Sequence, residues 1–259
     1  MVLTAVRGAL GFLSRVPLGR SETEWKAFAA TPAAFPLSGY VLGALVSLVF
    51  VLPLPAPSGA LAFLLALAAV MGINHFDGVA DLGDAAVVHG DAERRRDVMK
   101  DTDLGVGGAL AIAFVVVGLA LAGVALFGLP TLVAMGIVLA SEVGAKTSMA
   151  VQACRGVAAH EGLGSTFTSQ AGPEDLSTVL LLAAPAALVT GFSPAALASL
   201  VAAVATGLGL QWWARLHLGG TSGDVFGATN QLASLVALHA GWSCGRSGDV
   251  RRQGDATRR

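Results

Sequence analysis

Charged residues are scarce in this sequence. Asp, Glu, Lys and Arg make up 13% of the 259 residues, whereas 54% are hydrophobic. A soluble domain has charges at roughly a quarter of its positions, so the composition excludes an ordinary soluble protein and predicts a membrane protein. The 16 basic and 17 acidic residues give a formal net charge of −1. This balance gives no indication of nucleic acid as a partner.

Cysteine is almost absent, and a cleavable leader is not evident. Cys154 and Cys244 are too few and too far apart in sequence for a disulfide framework or a thiolate metal site. Arg7, Arg15 and Arg20 interrupt the apolar N-terminus, which therefore lacks the continuous apolar core of a signal peptide. We interpret residues 1–30 as an interfacial segment whose arginines reach lipid headgroups.

Long apolar runs dominate the rest of the chain, and no period-2 alternation indicates a β-barrel. The sequence therefore predicts an all-α integral membrane protein, a polytopic helical bundle formed by residues 1–245 as one domain. The tail, residues 246–259, is predicted to be polar and disordered. We expect about seven spans, with six to eight allowed, near residues 35–52, 58–74, 106–127, 131–153, 177–191, 194–213 and 225–242.

The distribution of basic residues predicts the orientation of the spans. The N-terminal segment and the 75–105 loop are rich in Arg and Lys, whereas the turns at residues 53–57 and 128–130 carry no charge. By the positive-inside rule, the basic segments face the cytoplasm. Continued alternation leaves the Arg-rich tail outside, which conflicts with the same rule. The orientation of the second half of the chain therefore stays open.

Acidic residues concentrate in one loop, with eight of the 17 between positions 77 and 103. Asp77, Asp81 and Asp84 follow the second span at i, i+4 and i+7, which places them on one face of a helix if that helix continues. Three such carboxylates repel one another unless cations neutralise them. Oxygen ligands favour Mg²⁺, with Mn²⁺ as an alternative. The competing interpretation is a solvated loop balanced by Arg94 to Arg96.

Lys100 and Asp101 follow at the start of the third span, where Lys100 suits contact with phosphate. Asp101 would be a further ligand or the base that accepts a hydroxyl proton, while simple interfacial anchoring is the alternative. Carboxylates and a nearby basic group at a membrane face predict metal-dependent phosphoryl transfer from a diphosphate. Two rivals are a phospholipid synthase of the CDP-alcohol phosphotransferase type, whose motif residues 77–84 match only in part, and a cation-coupled transporter.

Several short motifs, taken in order, carry a closer resemblance. Residues 10–240 resemble the cobalamin synthase family, also called the adenosylcobinamide-GDP ribazoletransferases. The matching segments are Phe12–Pro17, Phe35–Gly39, His75–Asp84, Met99–Asp101, Arg155 with His160–Gly164, and Gly219–Asn230. The chain departs from the family pattern at Asp103, Ser222, Gln231 and Lys146.

The resemblance implies a Mg²⁺-dependent enzyme in the plasma membrane of a prokaryote, with its active site facing the cytoplasm. It implies that α-ribazole, or its 5′-phosphate, attacks the cobinamide-side phosphoryl group of adenosylcobinamide-GDP and expels GMP. The partners would be these two substrates and the lipid bilayer, with the oligomeric state open. Asp77, Asp81 and Asp84 would hold metal and, with Asp101, carry catalysis.

Further polar residues are candidates for substrate binding, each with a structural alternative. Glu142 and Lys146 form either a structural ion pair inside the fourth span or part of a substrate pocket. Arg155 and Glu161 contact either substrate or lipid headgroups. Asp224 and Asn230 close the pocket unless Asp224 only caps a helix. The full set of predicted substrate-binding residues is His75, Lys100, Glu142, Lys146, Arg155, Glu161, Asp224 and Asn230.

Overall fold

In a computed structural model, residues 2–191 and 193–256 are described, with side chains described up to Arg246. The described chain is all-helical, apart from one isolated β-bridge between Ala158 and Thr221. Its α-helices are α1 Val2–Leu13, α2 Glu22–Ala29, α3 Ala34–Ser47, α4 Ala56–Met71, α5 Asn74–Val87, α6 Ala92–Met99, α7 Val106–Leu126, α8 Thr131–Arg155, α9 Leu163–Thr168, α10 Leu176–Ala183, α11 Ala195–His217 and α12 Gly223–Ala256.

Four helical segments in the described chain are long and apolar enough to cross a membrane. They are Ala34–Val51, which joins α3 to a 3₁₀ turn, and α7, α8 and α11. Helices α4 and α5 meet at an angle of 99° at Gly72, and they form a fifth candidate span if the two are counted as one broken span. An all-helical membrane protein is thus supported, with four or five candidate spans in place of the seven predicted.

Helix α8 forms the centre of the bundle, since nearly every residue from Ala134 to Cys154 is buried. It packs against α3, α11 and α12. Small residues permit these close contacts: a Cβ at Gly39 would overlap the backbone of α8, and one at Gly207 would overlap Ser148. Such contacts hold helices together where lipid removes the hydrophobic driving force.

The bundle has two chemically different ends. At one end, the Arg15 N–H donates to the Val70 carbonyl at 2.8 Å, which joins the N-terminal segment to the end of α4. At the other end, beside the two charge-free turns, the ring of Phe50 packs at a tilt against the rings of Phe63 and Phe127, with centroid distances of 5.5 and 4.6 Å, respectively. The basic segments therefore lie together, as the sequence predicts, and the charge-free turns lie opposite.

The N-terminal segment packs against the bundle more than the interfacial prediction implies. In α1, Ala5, Ala9, Leu10 and Leu13 are buried, whereas Val2 is exposed. Helix α1 contacts α2 and α3, and Arg7 of α1 pairs with Glu24 of α2 at 2.7 Å. An aromatic cluster closes this contact, and its members are Phe12, Trp25, Phe28, Phe35, Phe167 and Phe226.

Two of the seven predicted spans, 177–191 and 225–242, are not among the candidate spans of the described chain, for different reasons. The predicted span 177–191 is a short α10 followed by a 3₁₀ turn at Ala184–Leu188, since Pro185 cannot continue an α-helix. The predicted span 225–242 lies within the single long helix α12. The predicted tail, residues 246–259, begins inside that helix. Its side chains after Arg246 lie outside the described part, so its predicted disorder stays a prediction.

Candidate active site

The acidic residues lie on a helix of their own. Helix α4 ends at Gly72, whose φ of 75° is a conformation that suits glycine, and α5 leaves at 99°. The prediction that Asp77, Asp81 and Asp84 continue the second span is therefore wrong in its geometry. The three carboxylates occupy a separate helix that lies outside the four long spans.

Asp84 fastens α5 to the start of α7. Its Oδ2 accepts a hydrogen bond from the Gly105 N–H and its Oδ1 accepts one from the Gly108 N–H, each at 2.9 Å. These N–H groups lie in the first turn of α7, where a carboxylate is favoured by the helix dipole. A Cβ at Gly105 would overlap the Asp84 carboxylate. Asp84 thus has a structural role that the sequence did not indicate.

Helix α12 brings a fourth carboxylate to the same place. Gly78 of α5 lies against the backbone of α12, where a Cβ would overlap the carbonyl of Asp224. Burial, followed by the negative charges of Asp224 and Asp77, raises the pKa of Asp81 to about 7. We call Asp77, Asp81, Asp84 and Asp224 the acidic face.

The loop before α12 is held in place by backbone pairing. The Thr221 N–H donates to the Val157 carbonyl at 2.8 Å, and the Ala159 N–H donates to the Thr221 carbonyl at 3.1 Å. A Cβ at Gly220 would overlap the Val157 carbonyl, and one at Gly164 would overlap the Thr221 carbonyl. The Ser222 hydroxyl then donates to Asp224 at 3.2 Å. The glycine-rich segment therefore fixes where Asp224 enters the site.

The acidic face has no cationic partner among the side chains that the structure describes. The ion pairs in that part of the chain are Arg7 with Glu24, Lys26 with Glu22, Lys100 with Asp97, and Lys146 with Glu142. As they stand, no three described His, Cys, Asp or Glu side chains converge on one metal position. The donor chemistry of the acidic face, which is oxygen throughout, fits a hard divalent cation.

Lys100 pairs with Asp97 and not with a carboxylate of the acidic face. Its ammonium lies 3.3 Å from the Asp97 carboxylate, and both side chains are exposed. Asp101 is also exposed, and its carboxylate accepts a hydrogen bond from the Asp103 N–H at 3.2 Å. Asp101 and Asp84 line one cleft of about 340 Å³. Of this pair, Asp101 is the residue that the fold places beside the acids.

Glu142 and Lys146 form a buried ion pair within α8. The Lys146 Nζ is 2.5 Å from one oxygen of Glu142, and neither residue is more than 2% exposed. The other Glu142 oxygen accepts a hydrogen bond from Ser234 of α12 at 2.8 Å. These contacts join α8 to α12, which favours the structural interpretation for Lys146. Its ammonium also lies 3.7 Å from the Met71 sulfur.

Two arginines lie at the C-terminal ends of α8 and α11. Arg155 and Arg215 line a cleft of about 200 Å³ with Trp212 and Thr221. The sequence indicated Arg155 but not Arg215, because the convergence of the two helix ends is a tertiary contact. Glu161 is exposed on the loop that follows α8, where its carbonyl oxygen lies 2.8 Å from the His160 ring.

His75 and Asn230 are buried with unsatisfied polar atoms. His75 Nδ1 and Asn230 Oδ1 have no hydrogen-bond partner among the described residues, and the two residues are 9% and 2% exposed. An unpaired buried polar atom is costly and calls for an explanation. Asn230 lines a cavity beneath α5, described below.

Comparison with known proteins identifies the family of this chain. The family model described as cobalamin-5-phosphate synthase matches residues 5–242. This chain belongs to that family. It is 54% identical to the adenosylcobinamide-GDP ribazoletransferase of Halorubrum lacusprofundi over 93% of this chain and 97% of the relative. It is 45% identical to the one from Haloquadratum walsbyi over 93% and 98%, respectively. No solved structure matches the chain.

The cobalamin-5-phosphate synthase match spans every part of the site described above. It includes the acidic helix α5, the paired residues of α8 and the start of α12. The resemblance inferred from the short motifs is therefore confirmed. The arrangement that the fold adds to those motifs is the packing of α12 on α5, which brings Asp224 to the other three acids.

Proposed function

We propose that this protein transfers ribazole to adenosylcobinamide-GDP with release of GMP, the last assembly step of cobalamin. The family and the names of its relatives support this activity. The structural observation that carries the proposal is the acidic face, in which α12 adds Asp224 to the carboxylates of α5 without a cationic partner in the described chain.

A divalent cation is the group that these carboxylates would hold. Asp77, Asp81 and Asp224 would bind Mg²⁺, or Mn²⁺, with Asp84 held by its two backbone hydrogen bonds as the support. When bound, the cation supplies charge neutralisation for the non-bridging oxygens of the diphosphate and for the leaving GMP. Metal binding also removes the repulsion among the carboxylates.

The transfer step needs one nucleophile and one proton acceptor. An oxygen of ribazole or of its 5′-phosphate forms a bond to the cobinamide-side phosphorus, and the bond from that phosphorus to GMP breaks. When the nucleophile is a hydroxyl, its proton passes to a carboxylate. Asp101 suits this role because it shares a cleft with Asp84. Arg155 and Arg215 offer a positively charged cleft for the guanine nucleotide phosphates.

Metal dependence is tested with the purified protein and its proposed substrates. We expect GMP and a completed corrinoid when adenosylcobinamide-GDP, α-ribazole and Mg²⁺ are present together, and neither product when EDTA replaces Mg²⁺. Restoration by Mn²⁺ should follow, because both ions prefer oxygen ligands. Full turnover in EDTA would contradict the proposed metal dependence. The absence of GMP under every condition would contradict the proposed transferase activity.

The bundle is proposed to cross the bilayer seven times, through α3, α4, α7, α8, the α10 segment, α11 and α12. Gly136, near the start of α8, lies beside Thr190, so the α10 segment reaches the end opposite the acids. Gly245 of α12 lies beside Leu129 at that same end. With the basic end inside, the acidic face opens to the cytoplasm of a prokaryotic cell.

Orientation is tested by labelling introduced cysteines in intact cells, in a background where Cys244 is replaced by Ala and the buried Cys154 is kept. We expect His89→Cys, on the exposed loop before α6, to react with an impermeant maleimide only after the membrane is opened. Ser58→Cys, exposed in the first turn of α4 beside the opposite charge-free turn, should react from outside. The reverse pattern would contradict the cytoplasmic placement of the acidic face.

A further inference from the structure

A cavity of about 410 Å³ lies beneath the acidic helix. Its walls come from apolar residues of α4 and α7, and Phe76 of α5 covers one side. Its floor is polar, because Glu142, Asn230 and Gln231 line it while being only 2%, 2% and 6% exposed. The volume falls in the range of small-molecule sites, which are likewise mostly apolar with a few polar groups.

The floor of the cavity offers hydrogen bonds and no uncompensated charge. Both oxygens of Glu142 are occupied, one by Lys146 and the other by Ser234. Asn230 Oδ1 is buried and has no hydrogen-bond partner in the described part of the chain. An unpaired amide oxygen costs free energy unless a ligand or water pairs with it. The cavity therefore suits an uncharged molecule with an apolar body and a hydrogen-bond donor.

The cavity and the acidic face are continuous along two helices. Phe76 directly precedes Asp77 on α5. Asn230 follows Asp224 by six residues on α12, which corresponds to about 9 Å of helix. A molecule seated between Phe76 and Asn230 therefore needs a nucleoside-sized body to present a reactive oxygen to the carboxylates. Phe76 provides a ring against which an aromatic base can pack.

We propose that this cavity binds the uncharged heteroaromatic base of the acceptor nucleoside, with its ribose directed toward the acidic face. The inference rests on the proposed function and names the place where the acceptor sits. The base would bury its rings against α4 and α7, and a ribose hydroxyl of the same nucleoside would donate a hydrogen bond to Asn230 Oδ1. The charged donor, adenosylcobinamide-GDP, would approach from the opposite, cytoplasmic side of the acids.

The test compares two substitutions on adjacent residues of α4. Ala68 lines the cavity, whereas its neighbour Ala69 is exposed and does not line it. Binding of labelled α-ribazole alone is measured by equilibrium dialysis on the purified full chain. We expect Ala68→Trp to weaken binding by about tenfold or more, because the indole fills the cavity. The same variant should raise KM for α-ribazole and leave KM for the donor unchanged, and Ala69→Trp should resemble the wild type.

Asn230→Leu provides a second variant that does not depend on filling the cavity. Loss of the hydrogen bond from the nucleoside to Asn230 should weaken α-ribazole binding about fivefold to tenfold. Unchanged α-ribazole binding in both Ala68→Trp and Asn230→Leu would overturn the proposal while leaving the transferase activity intact. Loss of a co-purifying lipid from Ala68→Trp, with normal α-ribazole binding, would assign the cavity to an acyl chain instead. Failure of the wild type to release GMP would overturn the proposed function itself.

Discussion

Asp81→Asn should lower kcat by about 10²- to 10³-fold at saturating Mg²⁺ and leave the fold intact. Asn keeps the size of the side chain and one oxygen, but it removes the negative charge. Asp81 lies between the other acids, with its pKa raised to about 7 by burial and by the nearby charges. If this carboxylate helps to hold the cation that neutralises the diphosphate, its loss acts mainly on the transition state.

Asp97→Asn is the matched control for this substitution. Asp97 is an acid of the neighbouring helix α6, and its exposed carboxylate pairs with Lys100. Surface pairs of this kind contribute little. We expect near-normal kcat for Asp97→Asn, measured by GMP release. Equal activity of Asp81→Asn and Asp97→Asn would mean that the acidic face is only a solvated surface.

Lys146→Met should cause the largest loss of stability, about 3–5 kcal/mol. The ammonium is fully buried in α8 and lies 2.5 Å from Glu142. Its removal leaves the Glu142 carboxylate buried without a cation among apolar helices, which is costly inside a membrane protein. The double variant Glu142→Gln with Lys146→Met should recover much of the loss, since no unpaired charge then remains.

The measurement is the free energy of unfolding of each variant in mixed detergent micelles, combined as a double-mutant cycle. A structural ion pair predicts a large coupling between positions 142 and 146. If Lys146→Met instead keeps wild-type stability and raises KM for a substrate, Lys146 belongs to the substrate pocket. The two interpretations left open by the sequence are thereby separated.

The sequence was most informative where residue chemistry is local. Scarce charge and long apolar runs predict a helical membrane protein, and the concentration of acids after residue 76 marks α5 as the candidate site. The charge-free turns and basic loops correctly predict which segments lie at the same end. These properties depend on residue type and spacing along one stretch of chain.

Features that depend on tertiary packing could not be predicted. The positive φ of Gly72 turns α5 away from α4, although glycine there also fits an unbroken helix. The contact of Gly78 with α12 brings in Asp224, and the N–H groups of α7 hold Asp84. Lys100, which directly follows α6, pairs with Asp97 of α6, and both side chains are exposed. In each case the partner lies on a different element or on an unforeseen helix.

The central claim, that the carboxylates of α5 and α12 form one cation site, is tested most directly by Mn²⁺ binding without any substrate. Free Mn²⁺ is measured by electron paramagnetic resonance as the purified protein is titrated. We expect the wild type and Asp97→Asn to bind Mn²⁺ alike, and Asp81→Asn and Asp224→Asn each to bind it at least about tenfold more weakly. Identical Mn²⁺ binding by all four proteins would contradict the claim.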